Sequence, residues 1–379
     1  MIPVINLMNQ KTIKPVSTRT VLRTVRTIEE FKALEAGWEQ LAIEPLHSFA
    51  WNFAWWQNFQ HLGNLNLFVL EHENQIVGIA PFFQDRWNGQ KRLRFLGSGK
   101  TCTDYASLIV ADQWRDHFSN EIALEVISST AMLEMEGVDG ASPEDSFDGP
   151  LANQFWRYDT ELQPTWQLSL AADWDSFKSG SKKSLKRKIK KAEKRLKSDE
   201  FTVGSTFDDL DLEEAWETIV RLHQSRFVSK GLPGAFKDEQ FKTFLHDAVV
   251  KLAEQGRAEI IVAFHEGEAF GAHLVLHSQG TTQLYLAGIL AEKSKLEPGH
   301  LLITFAVRRA IEQGCNVFDF LRGDQPYKPY WGAVPYQLSS IRFVSRSTLP
   351  SVLNQGFRLL RQCKRQFNAA KKLNLWAAT

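Results

Sequence analysis

Residues Pro298–Gly332 read PGHLLITFAVRRAIEQGCNVFDFLRGDQPYKPYWG, and the fold is decided there. Pro298 and Gly299 close a loop and open an apolar run, so unpaired backbone N–H groups and the positive end of a helix dipole face whatever lies at that point. Leu301, Leu302, Ile303, Phe305, Ala306, Val307, Ala310 and Ile311 are apolar around most of a helical circumference, which fits a helix pressed onto a sheet. Gly314 is a good stop for that helix. Residues 315–321 then alternate as a strand, with Phe318 and Phe320 on one face and Asp319 and Leu321 on the other. Arg322, Asp324, Tyr327, Lys328 and Trp331 crowd the Gly/Pro turn that follows. A helix start suited to an anion, beside a strand end carrying acid, base and phenol, reads as a group-transfer site.

The segments before this stretch supply its sheet. Residues 258–265, 269–277 and 283–290 read as three antiparallel strands, broken at Glu266-Gly267 and at 278–280. Helices are expected over 212–227 and 238–255, strands over 165–170 and 201–206, a basic helix over 181–197 and a last strand near 339–344. In the first half, strand 20–25 precedes helices 28–42 and 48–59. Strands 65–70, 75–83, 92–96 and 108–110 follow, then helix 112–129, strand 133–138 and a loop over 139–155. The order strand, helices, meander, helix, strand is clear in the second half and fainter in the first. Two α/β domains of related topology are therefore predicted. Residues 1–18 form a lead-in, 19–160 a first lobe, 161–345 a second, and 346–379 a basic, helical tail.

A chain of 379 residues can bury two cores. Its net charge of +1 predicts no polyanionic partner, but residues 178–197 hold 11 Lys/Arg against the single acid Glu193. Leu185, Ile189, Ala192 and Leu196 form a narrow stripe that docks this helix. The remainder is either a solvated basic face or a surface for a phosphate-bearing ligand or tRNA. After Ile341 there is no acid and there are eight Lys/Arg. Phe357, Leu360, Phe367 and Trp376 there either pack on the second lobe or touch the inner membrane leaflet peripherally. Cys102, Cys363 and Cys315 match no disulfide or zinc spacing, and the strand pair His273 and His277 is no metal spacing, so no metal is expected. Without a signal peptide or an 18-residue apolar window, the expectation is cytoplasmic.

The segments LHQSRFVSKGLPGAF (222–236), GAHLVLH (271–277), YLAGIL (285–290), KLEPGHLL (295–302) and FDFLRGDQPYK (318–328) resemble the GNAT acyltransferase superfamily. SFAWNFAWWQNF (48–59) and Thr103-Asp104-Tyr105 fit as well. More narrowly, the chain resembles the two-lobed branch of BioF2-like or CelD-type acetyltransferases and the Fem aminoacyltransferases. The resemblance implies an α/β (α+β) fold of two tandem GNAT-like lobes, with mixed, mostly antiparallel sheets flanked by helices. It implies acyl-CoA, with acetyl-CoA foremost, as donor, and direct attack by an amine or hydroxyl of a sugar or glycan precursor in polysaccharide or cell-envelope synthesis. The Fem side of the resemblance implies instead aminoacyl transfer from tRNA to a peptidoglycan precursor. A non-catalytic, polyanion- or membrane-binding scaffold is the third reading. In place of the superfamily's Arg/Gln-x-x-Gly-x-Gly/Ala phosphate loop, residues 292–302 offer only Pro298-Gly299.

Site candidates follow from both readings. Asp324 or Asp319 is the base and Tyr327 the acid at the leaving thiolate, while Arg322 and Lys328 hold anionic groups. A structural Asp–Arg network pinning the turn is the alternative. Lys295, Pro298, Gly299, His300 and Leu301 are the candidates for the donor-phosphate site; an ordinary loop-to-helix junction, with His300 a surface residue, is the alternative. By analogy with the superfamily, Gly288 and Ile289 offer backbone N–H groups to the oxyanion, Gly288 also admitting a donor close to the strand; a close sheet contact is the alternative. His223 and Arg226 lie on one helix face as a substrate wall or a helix end, and Asp104 and Tyr105 line a groove between the lobes. Trp51, Trp55 and Trp56 either stack on sugars or fill the core.

Overall fold

The computed structural model describes residues 20–101, 103–139 and 147–347. The lead-in, nearly all of the basic tail, Cys102 and Cys363 lie outside them. The first lobe runs β1 (Thr20–Val25), α1 (Ile28–Lys32), α2 (Glu35–Leu41), α3 (Phe49–Phe59), β2 (Asn64–Leu65), β3 (Leu67–His72), β4 (Gln75–Ala80), β5 (Phe82–Trp87), β6 (Gln90–Phe95), β7 (Ile109–Val110), α4 (Arg115–Ser129), β8 (Met132–Val138), α5 (Asp148–Leu151) and β9 (Phe155–Glu161). The rest runs β10 (Thr165–Ser169), α6 (Trp174–Gly180), α7 (Lys183–Arg195), β11 (Phe201–Ser205), α8 (Leu212–Val228), α9 (Glu239–Glu254), β12 (Ala258–His265), β13 (Glu268–Ser278), β14 (Thr281–Ile289), α10 (Pro298–Glu312), β15 (Val317–Arg322), α11 (Tyr327–Trp331), β16 (Val334–Tyr336) and β17 (Ser339–Ser345).

The sheets are ordered β1-β3-β4-β7, β2-β5-β6-β8-β17-β9 and β11-β12-β13-β14-β15-β10-β16. Two pairs are parallel, β6 with β8 and β14 with β15. A parallel pair needs a long crossover, and helices α4 and α10 supply it. Each lobe thus carries the same unit, a parallel pair spanned by a helix.

Several expected elements differ. The helix expected over 28–42 breaks at Leu34, whose side chain turns into the core, giving α1 and α2. The strand expected over 75–83 divides at Pro81, which has no N–H for a ladder; β4 joins one sheet and β5 another. Residues 339–345 do not close the second lobe: β17 pairs with β8 and β9, and its Ile341 and Phe343 are buried in the first lobe's core. Strand β10 lies against β15 in the second-lobe sheet.

One core spans both lobes. Trp51, Trp55 and Phe59 of α3 pack with Phe241, Phe244 and Leu245 of α9, over Ile260 and Leu274 of the sheet. Trp51 and Phe244 meet edge to face at 4.9 Å. Trp51, Trp55 and Trp56 are all buried, so they fill the core and stack on no sugar. A second core under α10 includes Leu185, Ile189 and Ala192 of the basic helix, as the stripe predicts.

Candidate active site

The second-lobe sheet opens where its parallel pair ends. β14 and β15 pair at Thr281–Val317, Thr282–Phe318 and Gln283–Asp319 and then diverge; β14 stays on β13 as far as Ile289–Gly271. Helix α10 starts beside the open end. It comes close because Gly271 has no side chain: a Cβ there would lie 2.8 Å from Pro298 Cβ and 2.9 Å from Leu302 Cδ1. The N–H groups of His300 and Leu301 bond to Glu297 O at 3.1 and 3.3 Å. The Gly299 N–H has no backbone partner among the described residues, and the space beside its Cα is open. In the first lobe the loop after β6 is instead closed on itself, with Thr101 Oγ1 bonded to Gly97 O at 2.5 Å and Thr103 filling the space a Gly97 side chain would need.

Cations converge on the start of α10. Lys188 bonds to the Glu297 carboxylate, Lys191 reaches it at 2.7 Å, and Arg195 lies 4.0 Å away and donates to Leu296 O. The lysine hydrogen bonds, Lys188 first, hold the Glu297 carboxyl down at about 2. The sequence reading singled out none of these four residues. Their signal was spacing: Lys188, Lys191 and Arg195 each directly precede a residue of the apolar stripe. Lys295, by contrast, is exposed, and Leu301 turns its side chain into the core. His300 packs its ring near Tyr330 and Trp331, at 5.5 and 6.1 Å.

At the apex of the opening sits Asp319, almost fully buried. Its Oδ1 accepts from Leu321 N–H at 2.7 Å, and its Oδ2 accepts from the Tyr105 phenol of the first lobe. Gln167 Nε2 donates to the phenol oxygen at 3.0 Å, and Thr165 Oγ1 lies 2.7 Å from it. Burial pushes Asp319 up to about 6, outweighing the two hydrogen bonds that favour its charge. Burial and the neighbouring Asp319 charge raise the Tyr105 phenol far above its usual range. Tyr105 (φ 61°) and Leu321 (φ 53°) are both left-handed, a costly conformation for residues with side chains. Lys328, buried and lowered to about 8 by that burial, holds the turn by donating to Leu321 O at 2.9 Å and Arg322 O at 3.0 Å.

Arg322 is committed to the first lobe. Its N–H and Nε donate to Asp104 at 3.0 and 2.7 Å, and Nη1 lies 3.6 Å from Glu136. Burial raises the Asp104 carboxyl, with Arg322 opposing. The structural Asp–Arg network is therefore present, and it joins lobes rather than pinning one turn. Asp324 is exposed on the loop after β15.

The open end gathers Arg226, Tyr327, His223 and His273. Burial lowers His223 to about 4 and His273 to about 3, with the Arg226 charge acting the same way, so both imidazoles are neutral at pH 7. Burial raises the Tyr327 phenol while Arg226 pulls it down. His223 stacks on Phe227 at 4.5 Å, and so packs its ring rather than presenting it. The close-approach role of Gly288 is corrected: a Cβ there would lie 2.5 Å from His223 N and 2.8 Å from Leu222 C, so its bare Cα admits helix α8 and not a donor. Among the described residues, no group of three His, Cys, Asp or Glu converges on a metal position, and no helix is long and apolar enough to cross a membrane.

Residues 179–329 match the acetyltransferase (GNAT) domain family. No curated protein sequence matches the chain. FemX has the same overall fold, with a TM-score of 0.59 at 12% identity over 85% of this chain and 97% of that one. L-PGS from Bacillus licheniformis is similar over 86% of this chain and 96% of its own, with a TM-score of 0.53 at 11% identity. A chain described as the C-terminal domain of a lysylphosphatidylglycerol synthetase from Agrobacterium fabrum gives 0.55 at 7% identity, over 87% and 95%. At such identities the likeness is one of fold. The opened parallel pair and the helix start beside it fall within residues 179–329, the stretch that matches the acetyltransferase (GNAT) domain family, and across both lobes the chain shares its fold with FemX.

Proposed function

We propose that the chain moves an acetyl or longer acyl group from acyl-CoA to an amine or hydroxyl of a sugar or glycan precursor, in polysaccharide or cell-envelope synthesis. The observation that carries this reading is Asp319, a desolvated carboxylate raised to about 6 at the apex of an opened parallel pair. A base with that pKa takes a proton from a nucleophile at neutral pH. Asp324, exposed to water, has no such environment. In this reading the donor lies in the opening, with its phosphates at the Gly299 N–H and at Lys188, Lys191 and Arg195. Tyr327 and Arg226 stand on the thiolate side. A charged tRNA as donor draws support from one further feature, a surface hollow of about 560 Å³ on α7 lined by Arg187, Lys190, Lys191, Lys194 and Lys197 with the single acid Glu193.

Gly299→Glu tests the donor site cleanly, because nothing lies within 4 Å of a Cβ built there. The fold should survive and calorimetric CoA affinity should fall at least tenfold. Unchanged CoA affinity in a folded variant would remove the donor from this helix start, and tight binding of charged tRNA without CoA would select the second donor.

A further inference from the structure

Over β10, between α6, the start of α7 and α11, lies a cavity of about 380 Å³. Strand β15 separates β10 from β14, so the cavity stands apart from the opening of the parallel pair. Its walls are apolar: Leu168 of β10, Phe177 of α6, Leu185 of α7 and Trp331 of α11 line it and belong to the core beneath. No acid lines it, and the exposed Lys182 stands at its rim. Helix α7 begins there without a cap. Its N-cap residue is Lys182, whose side chain accepts no hydrogen bond, and its first turn holds no acid. Ser181, which also lines the cavity, donates its hydroxyl to Phe177 O at 2.8 Å. The N–H groups of Lys183, Ser184 and Leu185 have no acceptor among the described residues. The acids nearest in the chain are spent elsewhere. Asp173 caps α6 at Ser176 N, 2.8 Å away, and Asp175 and Glu193 hold Lys178 at 3.0 and 3.2 Å. A second feature is independent of the helix. Trp331 is 1% exposed, and its Nε1–H has no hydrogen-bond partner among the described residues. A buried indole N–H ordinarily finds one.

We propose that this cavity binds an amphiphilic anion, a carboxylate or phosphate monoester carried on an apolar chain. A volume at the small end of small-molecule sites suits a chain of about eight carbons. The head answers the unmet N–H groups at the α7 start, where the helix dipole and Lys182 favour negative charge. The chain displaces water from Leu168, Phe177, Leu185 and the Trp331 ring, and the indole N–H adds a donor on the wall. A cation finds no acid here, and a neutral molecule leaves the charged helix start without a counter-charge. A small anion with no chain leaves the apolar walls wet. The inference stands whether or not the donor is acyl-CoA, because none of these residues belongs to the donor or base assignment above.

The test is calorimetry on the full chain at pH 7.5 with octanoate, octyl phosphate, octanol and acetate, each below its micelle-forming concentration, with and without CoA. At least one of the two octyl anions should bind tenfold or more tightly than both octanol and acetate, and the tighter of the two names the head group. Lys182→Asp should weaken that anion at least tenfold while Tm holds or rises, since Asp is a preferred N-cap and offers its own carboxylate to the same N–H groups. Trp331→Phe keeps the apolar wall and removes the donor, so it should weaken the anion several-fold and leave octanol unchanged. Folding of both variants is checked by circular dichroism. Octanol or acetate binding as tightly as the octyl anions overturns the proposal. So does full anion affinity in either folded variant, or displacement of the anion by CoA. Octyl-anion binding that Lys182→Asp abolishes, in a protein that binds no CoA, upholds the cavity and overturns the acyl-CoA reading alone.

Discussion

Asp319 sits where its charge is disfavoured, and that has two opposite consequences. For turnover, the carboxylate must be ionised, so kcat/KM should fall about tenfold per pH unit below pH 6, the value to which burial raises the group. For stability the sign is reversed. A carboxyl raised from 3.8 to about 6 contributes stability that is fully present below pH 3.8 and lost as pH rises through 6. Asp319→Asn should therefore lower kcat by roughly 10²–10⁴. At pH 8 it should also recover up to roughly 3 kcal/mol of stability, since Asn carries no buried charge. A pH–rate profile and thermal melts at pH 5 and pH 8 check both halves. Full activity in the variant would move the base elsewhere.

At the scale of an element, α7 shows how one helix serves two ends. Leu185, Ile189 and Ala192 dock it. The cations immediately beside that stripe are spent on Glu297, an internal anion standing where a donor's phosphates would have to lie. Glu297→Gln should release Lys188 and Lys191 and tighten CoA binding several-fold. Lys188→Gln with Lys191→Gln should weaken it about tenfold and flatten its salt dependence. Lys186→Gln, Lys190→Gln and Lys194→Gln together should change CoA affinity little, because none of the three reaches Glu297. All three variants should keep a near-native Tm, since partly exposed ion pairs contribute little to folding. Calorimetry across a salt series separates them. Equal effects from the two lysine sets would make α7 a general basic surface instead.

For the whole molecule, the shared core and the seating of β17 in the first lobe's sheet make the lobes one cooperative unit. Trp51 belongs to the first lobe, yet it touches Phe244 and Tyr285 of the second at 4.9 and 5.2 Å, and its Nε1 donates to Thr103 Oγ1 at 3.0 Å. Trp51→Ala should cost about 3–5 kcal/mol. Scanning calorimetry should show one transition in both the native chain and the variant. Two separately melting lobes would contradict a common core.

The run from Pro298 to Arg322 was legible from sequence alone because its signals are local. Helix periodicity, a Pro-Gly start, a Gly stop and strand alternation each act within a few residues, and they placed α10, β15 and the meander before them. The same local reasoning set Asp319 on one strand face and found the stripe that docks α7. Tertiary structure alone decided what those residues meet. Pairing between distant strands takes β17 out of the lobe that its position in the chain suggests. The choice between Asp324 and Asp319 depends on burial, which for Asp319 is completed by Tyr105, 214 residues away. Gly288 accepts a helix backbone, and Arg322 is spent on Asp104 and Glu136. Desolvation and pairing are properties of a surrounding volume filled by both lobes, and one strand's pattern carries no record of it.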